Sequence, residues 1–522
     1  MSDLYYGLDF GACNIKVVKN QKGTLNRVKL FSGKANFLEN VIYYQKNSDG
    51  SIETKLGFNA KQEAILYGDE NKISNVKTKL FLKQWSKYIP NLGKDVSCEE
   101  AIYEIIDAIY KKIQLNRTDR SLEVITTITV PVAFSEVQKK TLKDICQKVG
   151  FTVRAVITEP FAALLSEDLD DVEGNQNILV FDFGGSTIDM SVVSVENEDD
   201  NILITEMASK GIVFGGLDID DLIFDYITKT KYKNEYEEIC SFVKEERVKH
   251  DLMESISSEK EDLFSDDYDL DDEDSNEMKI FYACSGNNKS YYFIVTATEI
   301  NKILDENHCK DRIITALDEL FDSTDDIDKE EITSIKLVGG SSKVVYVLKV
   351  LTDYFGEEVF DYQEVDLGDD DFDESLFMSV AQGAAKYMQW TDELDCNVTI
   401  KNAIPFNLGI NSNNTFKILI KKNMPYGFVT KYIPLLKENL EAENYKVDFY
   451  QSFSKKRNLK IASRGEEQSE VIYVGSIQLT KEKYSFEQSP LMTLRVKNNG
   501  EIEVDIYECI DDEIEHIEKH FV

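Results

Sequence analysis

The sequence predicts a two-lobed α/β unit followed by a small antiparallel β-domain, and three observations carry that reading. Strand-like and helix-like apolar patterns alternate over residues 1–200. The layout of "YYGLDFGACNIKVV" (strand, Asp-Phe-Gly, small polar turn, strand) returns in "ILVFDFGGSTIDMSVVSV". From about Asn397 the pattern becomes one of short alternating strands.

In the first part, strands are expected on both sides of Gly11, then a helix over "EEAIYEIIDAIYKKI" and a strand over "EVITTITVP". After Pro131, Ser135 is placed to cap a helix carrying Val137, Leu142, Ile145 and Val149, with Gly150 as its stop. The strand "TVRAVITEP" follows, and from Ile178 two buried strands meet at a glycine turn. Between Glu261 and Glu277, ten acids among seventeen residues and no base predict a solvated loop, read as a tether or as an acidic docking site for a basic partner. A second acidic patch spans Asp366 to Glu374. In the last part, "TFKILIKK" alternates Phe416, Ile418 and Ile420 with Lys417 and Lys421, and "LMTLRVKNNGEIEVDIYE" signals a hairpin turning at Asn499-Gly500.

A chain of 522 residues has room for several domains, because single cores stop growing near ~250–300 residues. Lys and Arg total 59 against 96 Asp and Glu, a formal charge of −37, which argues against nucleic acid or an anionic membrane as partners. The start "MSDLYYGLDFG" runs directly into a strand pattern, and apolar runs of ~18 residues are lacking, so neither a signal peptide nor a membrane span is expected. Eight cysteines lie far apart without a Cys-x-x-Cys pair, which suits reduced thiols in a cytoplasm.

The chemistry concentrates in glycine turns. An Asp ending a buried strand, followed by Gly and small residues, sets a carboxylate beside exposed backbone N–H groups, so metal and phosphate can meet at one turn. Two such turns occur, at Asp9-Phe10-Gly11 and at Asp182 to Asp189, and the pair Gly339-Gly340 follows a third apolar strand in "IKLVGGSSKV".

With these turns the sequence resembles the actin-like ATPase superfamily and, within it, the 70-kilodalton heat-shock chaperones of the DnaK type. The resemblance runs in order from Tyr6 to about Glu508 and includes "ITVPVAFSEVQKKTLKDICQKVGF", "AVITEPFAALL", "KGIVFGGLDID", "VAQGAA" and "IPFNLGI". It implies an actin-like nucleotide-binding domain over 1–390, with lobe I about 1–175, lobe II about 176–375 and a helix closing back onto lobe I. A linker over 391–403, a β-sandwich substrate-binding-like domain over 404–508 and a short tail over 509–522 would follow.

The same resemblance implies ATP or ADP with Mg2+ as cofactors. Asp9 and Asp182 would hold the magnesium, and the turns Gly11, Ala12, Cys13 and Gly184, Gly185, Ser186, Thr187 would cradle the phosphates. Lys77 falls where the family has a lysine touching the terminal phosphates, Glu159 where it has a carboxylate orienting water, and Thr187 and Asp189 where it has its water and potassium neighbourhood. Gly215 and Gly216 belong to the Gly-Gly-x-Asp segment. Glu246, Lys249 and His250 would meet ribose and adenine, opposite Gly339, Gly340, Ser341 and Lys343.

The sequence also departs from the family. Two threonines are usual where Ala12 and Cys13 stand, which predicts tight ATP binding with slow hydrolysis, because a lost donor hurts the transition state most. Cys13 reads as an inert filler, or as a thiolate activated by its loop and open to oxidation. The linker piece "NVTIKN" has only Val398 and Ile400 as large apolar residues, so weak docking is expected. Lys139 stands for an arginine on the relay helix and cannot make a forked contact. Only fourteen residues follow Glu508, so a helical lid is not expected. The reading is a weak ATPase of chaperone type acting on unfolded or extended polypeptide, served by a J-domain co-chaperone and a nucleotide exchange factor. The alternatives are a nucleotide-sensing interaction protein with little or no hydrolysis and, on the same superfold, a small-molecule kinase.

Overall fold

Strand β1 (Leu4–Phe10) has every side chain from Tyr5 to Phe10 buried, and β2 (Asn14–Gln21) returns antiparallel with Asp9 opposite Lys16. The computed structural model describes residues 4–522 except 31–36, 83, 118, 168–173, 199–200, 265–267, 271, 325–326, 366–369, 393–397, 402–403, 405, 413, 423, 426, 436–443, 453–458, 462–470, 481–488, 498–500 and 511–512. Strand β3 (Thr24–Arg27) continues the hairpin, and small antiparallel sheets between 41 and 97 surround α1 (Phe58–Tyr67). Helix α2 (Cys98–Leu115) opens with a Ser97–Glu100 capping box and buries Ile102, Ile105, Ile109 and Ile113, one stripe of a 3.6-residue repeat.

Strand β4 (Val124–Val130), helix α3 (Glu136–Val149), strand β5 (Phe151–Thr158) and the short α4 (Glu159–Leu164) follow. The sheet order is β5-β4-β1-β2-β3, parallel at β5–β4–β1. Ser135 caps α3 by accepting from the Gln138 N–H, and Gly150 ends it at φ 127°. Val137 was expected inside, yet it is 43% exposed. Five residues separate it from Leu142, about 140° around a helix, so the buried stripe runs instead through Lys139, Leu142, Ile145 and Cys146.

The second half repeats the hairpin. Strands β6 (Asn175–Phe183) and β7 (Ile188–Glu198) pair antiparallel with Asp182 opposite Asp189, and β8 (Asn201–Ile212) extends the sheet. Helices α5 (Gly216–Tyr226), α6 (Lys233–Phe242) and α7 (Glu245–Leu263) lead to a hairpin of β9 (Glu277–Cys284) and β10 (Lys289–Thr296). Then come α8 (Ala297–Glu306), α9 (Cys309–Phe321), β11 (Ser334–Val338) and α10 (Val345–Phe355). The expected solvated loop at 261–277 is corrected in part. Phe264 is buried and stacks on Tyr268, Glu273 bonds to Lys349 and to Asn301, and the Asn276 side chain donates to Asp269. Two aromatic rings and these bonds pin a segment whose charge alone predicted solvation.

Helix α11 (Asp370–Asp392) runs back to the first sheet. It lies so close to β1 that a Cβ on Gly7 would strike the Ala381 carbonyl, and so close to α4 that one on Gly383 would strike that of Ala162. Phe161 and Leu164 of α4, Ala384 and Tyr387 of α11, and Val180 and Val193 of the second sheet share one buried cluster. Of the second acidic patch, 366–369 lie outside the described residues and 370–374 begin this helix.

Strand β12 (Val398–Lys401) lies in the expected linker and adds to the second sheet, parallel to β8, giving the order β11-β6-β7-β8-β12. Weak docking was expected from its few apolar residues, but backbone pairing supplies the contact, and Val398 and Ile400 pack on the cluster between the sheets.

The β-domain consists of β13 (Asn407–Ser412), β14 (Thr415–Ile420), β15 (Ile433–Pro434), β16 (Asn444–Ser452), β17 (Ile472–Thr480), β18 (Leu491–Val496), β19 (Ile502–Ile510) and β20 (Glu513–Phe521). Two sheets, β14-β13-β16-β17 and β15-β18-β19-β20, enclose a core of Leu408, Phe449, Leu479, Leu494, Val504 and Ile506. The β18–β19 hairpin forms, although its Asn499-Gly500 turn lies outside the described residues. The expected tail over 509–522 is corrected, for most of it is β20, which pairs with β19. Its ladder is reinforced by charge, His516 to Asp505 and Lys519 to Glu503, which a search for apolar alternation does not find. The β-domain rests on α3. The Glu136 N–H donates to Gln451 Oε1 at 2.9 Å, and Lys139 Nζ sits 5.5 Å from the Phe406 ring centre. Among the described residues no helix is long and apolar enough to cross a membrane.

Candidate functional site

Because β1 and β6 each end in Asp-Phe followed by a glycine turn, the two repeats deliver like groups to one place. Gly11 to Asn14 and Gly184 to Thr187 line a cleft enclosing about 600 Å³ of empty space, part of it open to solvent. Asp9, Lys16, Lys77, Glu159, Asp182, Gly339 and Gly340 complete its polar wall, and Val338, Leu376, Phe377 and Val380 the apolar one. Gly339 has φ +81°, and a Cβ there would come within 2.6 Å of Asp182 Oδ1. Glycine is thus needed for both its dihedral and its closeness.

Carboxylates crowd this cleft. Lys77, on a 3-10 turn over Val76–Phe81, is only 2% exposed and bonds through Nζ to Glu159 Oε1. Lys16 Nζ lies 2.9 Å from Asp9 Oδ2. Burial raises the Glu159 carboxyl against the pull of Lys77. Burial, with Glu159, Asp189 and Asp9 as neighbours, lifts Asp182 well above the usual carboxylate range. Burial and Glu159 push Asp189 up to about 7. Asp189 Oδ1 accepts from the Ala133 N–H at 3.3 Å, and its Oδ2 has no hydrogen-bond partner.

Four carboxylates therefore face two ammonium groups, and ionising them all leaves a buried excess of two negative charges. A divalent cation with hard oxygen ligands fits that deficit. Among the described residues no three His, Cys, Asp or Glu form a complete metal cage. Magnesium takes one or two carboxylates and leaves its other positions to phosphate and water.

A family model described as Hsp70 protein matches residues 56–426, well over half of the 522. The chain belongs to the Hsp70 family. Hsp70 proteins bind ATP or ADP with magnesium, and membership points to an ATP-binding, chaperone-type function with polypeptide substrates and co-chaperones.

Against that family's expected site, the structure brings Asp9, Gly11, Ala12, Cys13, Lys77, Glu159, Asp182, Gly184 to Thr187, Gly339 and Gly340 to the cleft. Asp189 stands behind the lining, where its Oδ1 accepts from the Ala133 N–H. Gly215 backs the second turn, where a Cβ would strike the Gly185–Ser186 backbone. The Gly216 carbonyl accepts from Lys260 Nζ at 2.9 Å, the Ser341 hydroxyl faces Gly216, and Lys343 ends the 3-10 turn Gly340–Lys343 outside the lining.

Of the expected base contacts, Glu246, Lys249 and His250 lie outside this lining. Glu246 is exposed, Lys249 lies over the Phe224 ring at 5.3 Å, and His250 Nδ1 is 3.2 Å from Asp69 Oδ2. Lys260 of the same helix, bonded to Asp220 at 2.6 Å, takes the position beside Gly216 and Cys13, and Glu261 adjoins it. Burial foremost, with the carboxylates of Asp220 and Glu261 adding to it, pushes the Cys13 thiol up to about 11, which favours the inert reading.

Sequence reasoning passed over Lys16 and Phe377, both in the lining. Lys16 had an available signal, for it follows Asp9 by the same seven residues that separate Asp189 from Asp182.

Proposed function

We propose that this chain is a slowly hydrolysing, ATP-binding chaperone-like protein whose nucleotide state biases polypeptide binding by the β-domain. The observation that carries the reading is the convergence of twin Asp-Phe-Gly turns on one cleft whose carboxylates lack two positive charges. Asp9 and Asp182 would hold magnesium, which when bound supplies charge to the phosphates and to the leaving oxygen. The chain's own groups do the rest. The two halves clamp the nucleotide as lobes, the turns direct N–H groups at the phosphates, and Lys77 contributes a buried ammonium fixed by Glu159. Glu159, its carboxyl raised by burial, is suited to hold and orient water. Ala12 offers no hydroxyl, so the transition state lacks one donor.

A path of contacts supports coupling to the β-domain. Asp189 accepts from Ala133, which follows Pro131 and leads into α3, and α3 meets Gln451 and Phe406. Strand β12 ties the same sheet to the linker. Residues 513–521 form β20, and among the described residues no helix follows β12. The seven described cysteines are free, which fits a cytoplasmic setting.

Ala12 also favours a second reading, a nucleotide sensor that binds ATP and hardly hydrolyses it. Single-turnover ATP hydrolysis, with and without an unfolded polypeptide and a J-domain protein, separates the two. Stimulated turnover supports the chaperone, binding without turnover supports the sensor, and absence of ATP binding defeats both.

A further inference from the structure

The two hairpins that build the cleft are in register, and they differ in the charge opposite the turn aspartate. Across β1–β2 the residue opposite Asp9 is Lys16, whereas across β6–β7 the residue opposite Asp182 is Asp189. Cross-strand partners emerge on one face of a sheet, so each hairpin pairs two charged groups at the cleft, Asp9 and Lys16 both in its lining, and Asp182 in its lining with Asp189 behind it. On one side they are a carboxylate and an ammonium, on the other two carboxylates. Lys16 is 12% exposed, its Nζ lies 2.9 Å from Asp9 Oδ2, and it lines the cleft beside the loop in which residue 12 has no hydroxyl. Asp182 and Glu159 are its other charged neighbours.

An ammonium in this position has more to offer than an ion pair with Asp9. It has three donors, and Asp9 Oδ2 occupies one. It is attached to the rigid strand that begins at the phosphate loop, and water competes little for a group so buried. A nucleoside di- or triphosphate entering the cleft brings several anionic oxygens to a place whose lining already holds three carboxylates, with Asp189 behind them. Positive charge must come with the ligand, as a metal, or from the chain.

Building on the nucleotide reading above, we propose that Lys16 is a phosphate-binding residue that gives this chain an affinity for ATP partly independent of the divalent cation. Lys16 bridges Asp9 and the polyphosphate, and it restores to the first loop a donor that alanine at position 12 withholds. The recognised ligand is the polyphosphate, so the effect scales with the phosphates and leaves the nucleoside untouched.

The test is equilibrium dialysis of ATP and of adenosine against the full chain and its Lys16→Met and Lys16→Gln variants, in excess magnesium and in EDTA. Two neutral replacements are used so that a packing failure of one does not decide the outcome, and thermal melts check folding. The parent is expected to keep measurable ATP affinity in EDTA. In both variants the ratio of affinity with magnesium to affinity in EDTA should rise about tenfold or more, the worth of a hydrogen bond to a charged group, with adenosine binding unchanged. An equal ratio in parent and variants overturns the role of Lys16 and leaves the nucleotide site standing. If the parent takes up no ATP in either condition, the site reading fails and the proposal with it.

Discussion

Ala12 is the residue on which the rate turns. Placing threonine there should return a hydroxyl to the first phosphate loop and speed single-turnover hydrolysis about tenfold or more, with ATP affinity nearly unchanged. Equal or slower hydrolysis by Ala12→Thr would show that the missing donor is not what limits turnover. The crowded carboxylates predict a pH effect whose sign is fixed. Asp182, Asp189 and Glu159 all ionise less readily in the folded chain, so between the ordinary carboxylate range and about pH 7 the folded state holds more protons than the unfolded one. Stability without nucleotide should therefore fall as pH rises through that window. Melting curves from pH 5 to pH 8 check this, and Asp189→Asn should flatten the slope, because it removes the group that titrates near 7. At this scale the aspartates, Lys77 and Glu159 were legible because their motifs fix them to strand ends and turns. Lys16 was not, since a lysine two residues into a strand reads as a solvated side chain until the partner strand is known.

Among the elements, β12 makes the most exposed claim. It is four residues long and held by its ladder to β8 and by Val398 and Ile400 against the cluster between the sheets. Ile400→Asp would place a charge against that cluster and should release the strand. Amide exchange at 398–401 is then expected to quicken roughly tenfold or more, the cost of burying an unpaired charge, while 334–338 at the other edge of the sheet stays protected. If 398–401 exchange equally fast in parent and variant, the docked strand is wrong. Helices α2 and α3 were readable to their caps, since Ser97 and Ser135 each begin a capping box before an amphipathic run. Strand β20 escaped notice because charge pairs and backbone bonds hold much of it, Ile517 alone of its apolar residues packs on the core, and Ile514 and Phe521 are exposed. The acidic segment after α7 was misjudged for the opposite reason, as Phe264 and Tyr268 outweigh the charges around them.

For the whole molecule, the repeated hairpin and the shift to short strands announced an α/β body and a β-domain, because both leave periodic marks along the chain. How the β-domain rests on α3 left no such mark. Buried Gln451 and the pairing of Lys139 with both Glu136 and Phe406 are polar choices that read as surface until the two parts meet. The same holds for the cleft, whose four carboxylates come from segments far apart in sequence and gain meaning only together. The central claim is that these groups grip a magnesium-bound nucleotide, and equilibrium dialysis of ATP against the full chain in excess magnesium tests it most directly. The account predicts uptake of one ATP per chain, weakened about tenfold or more by Asp182→Asn, which removes a charged ligand. No uptake by the parent, or uptake that Asp182→Asn leaves unchanged, would contradict it.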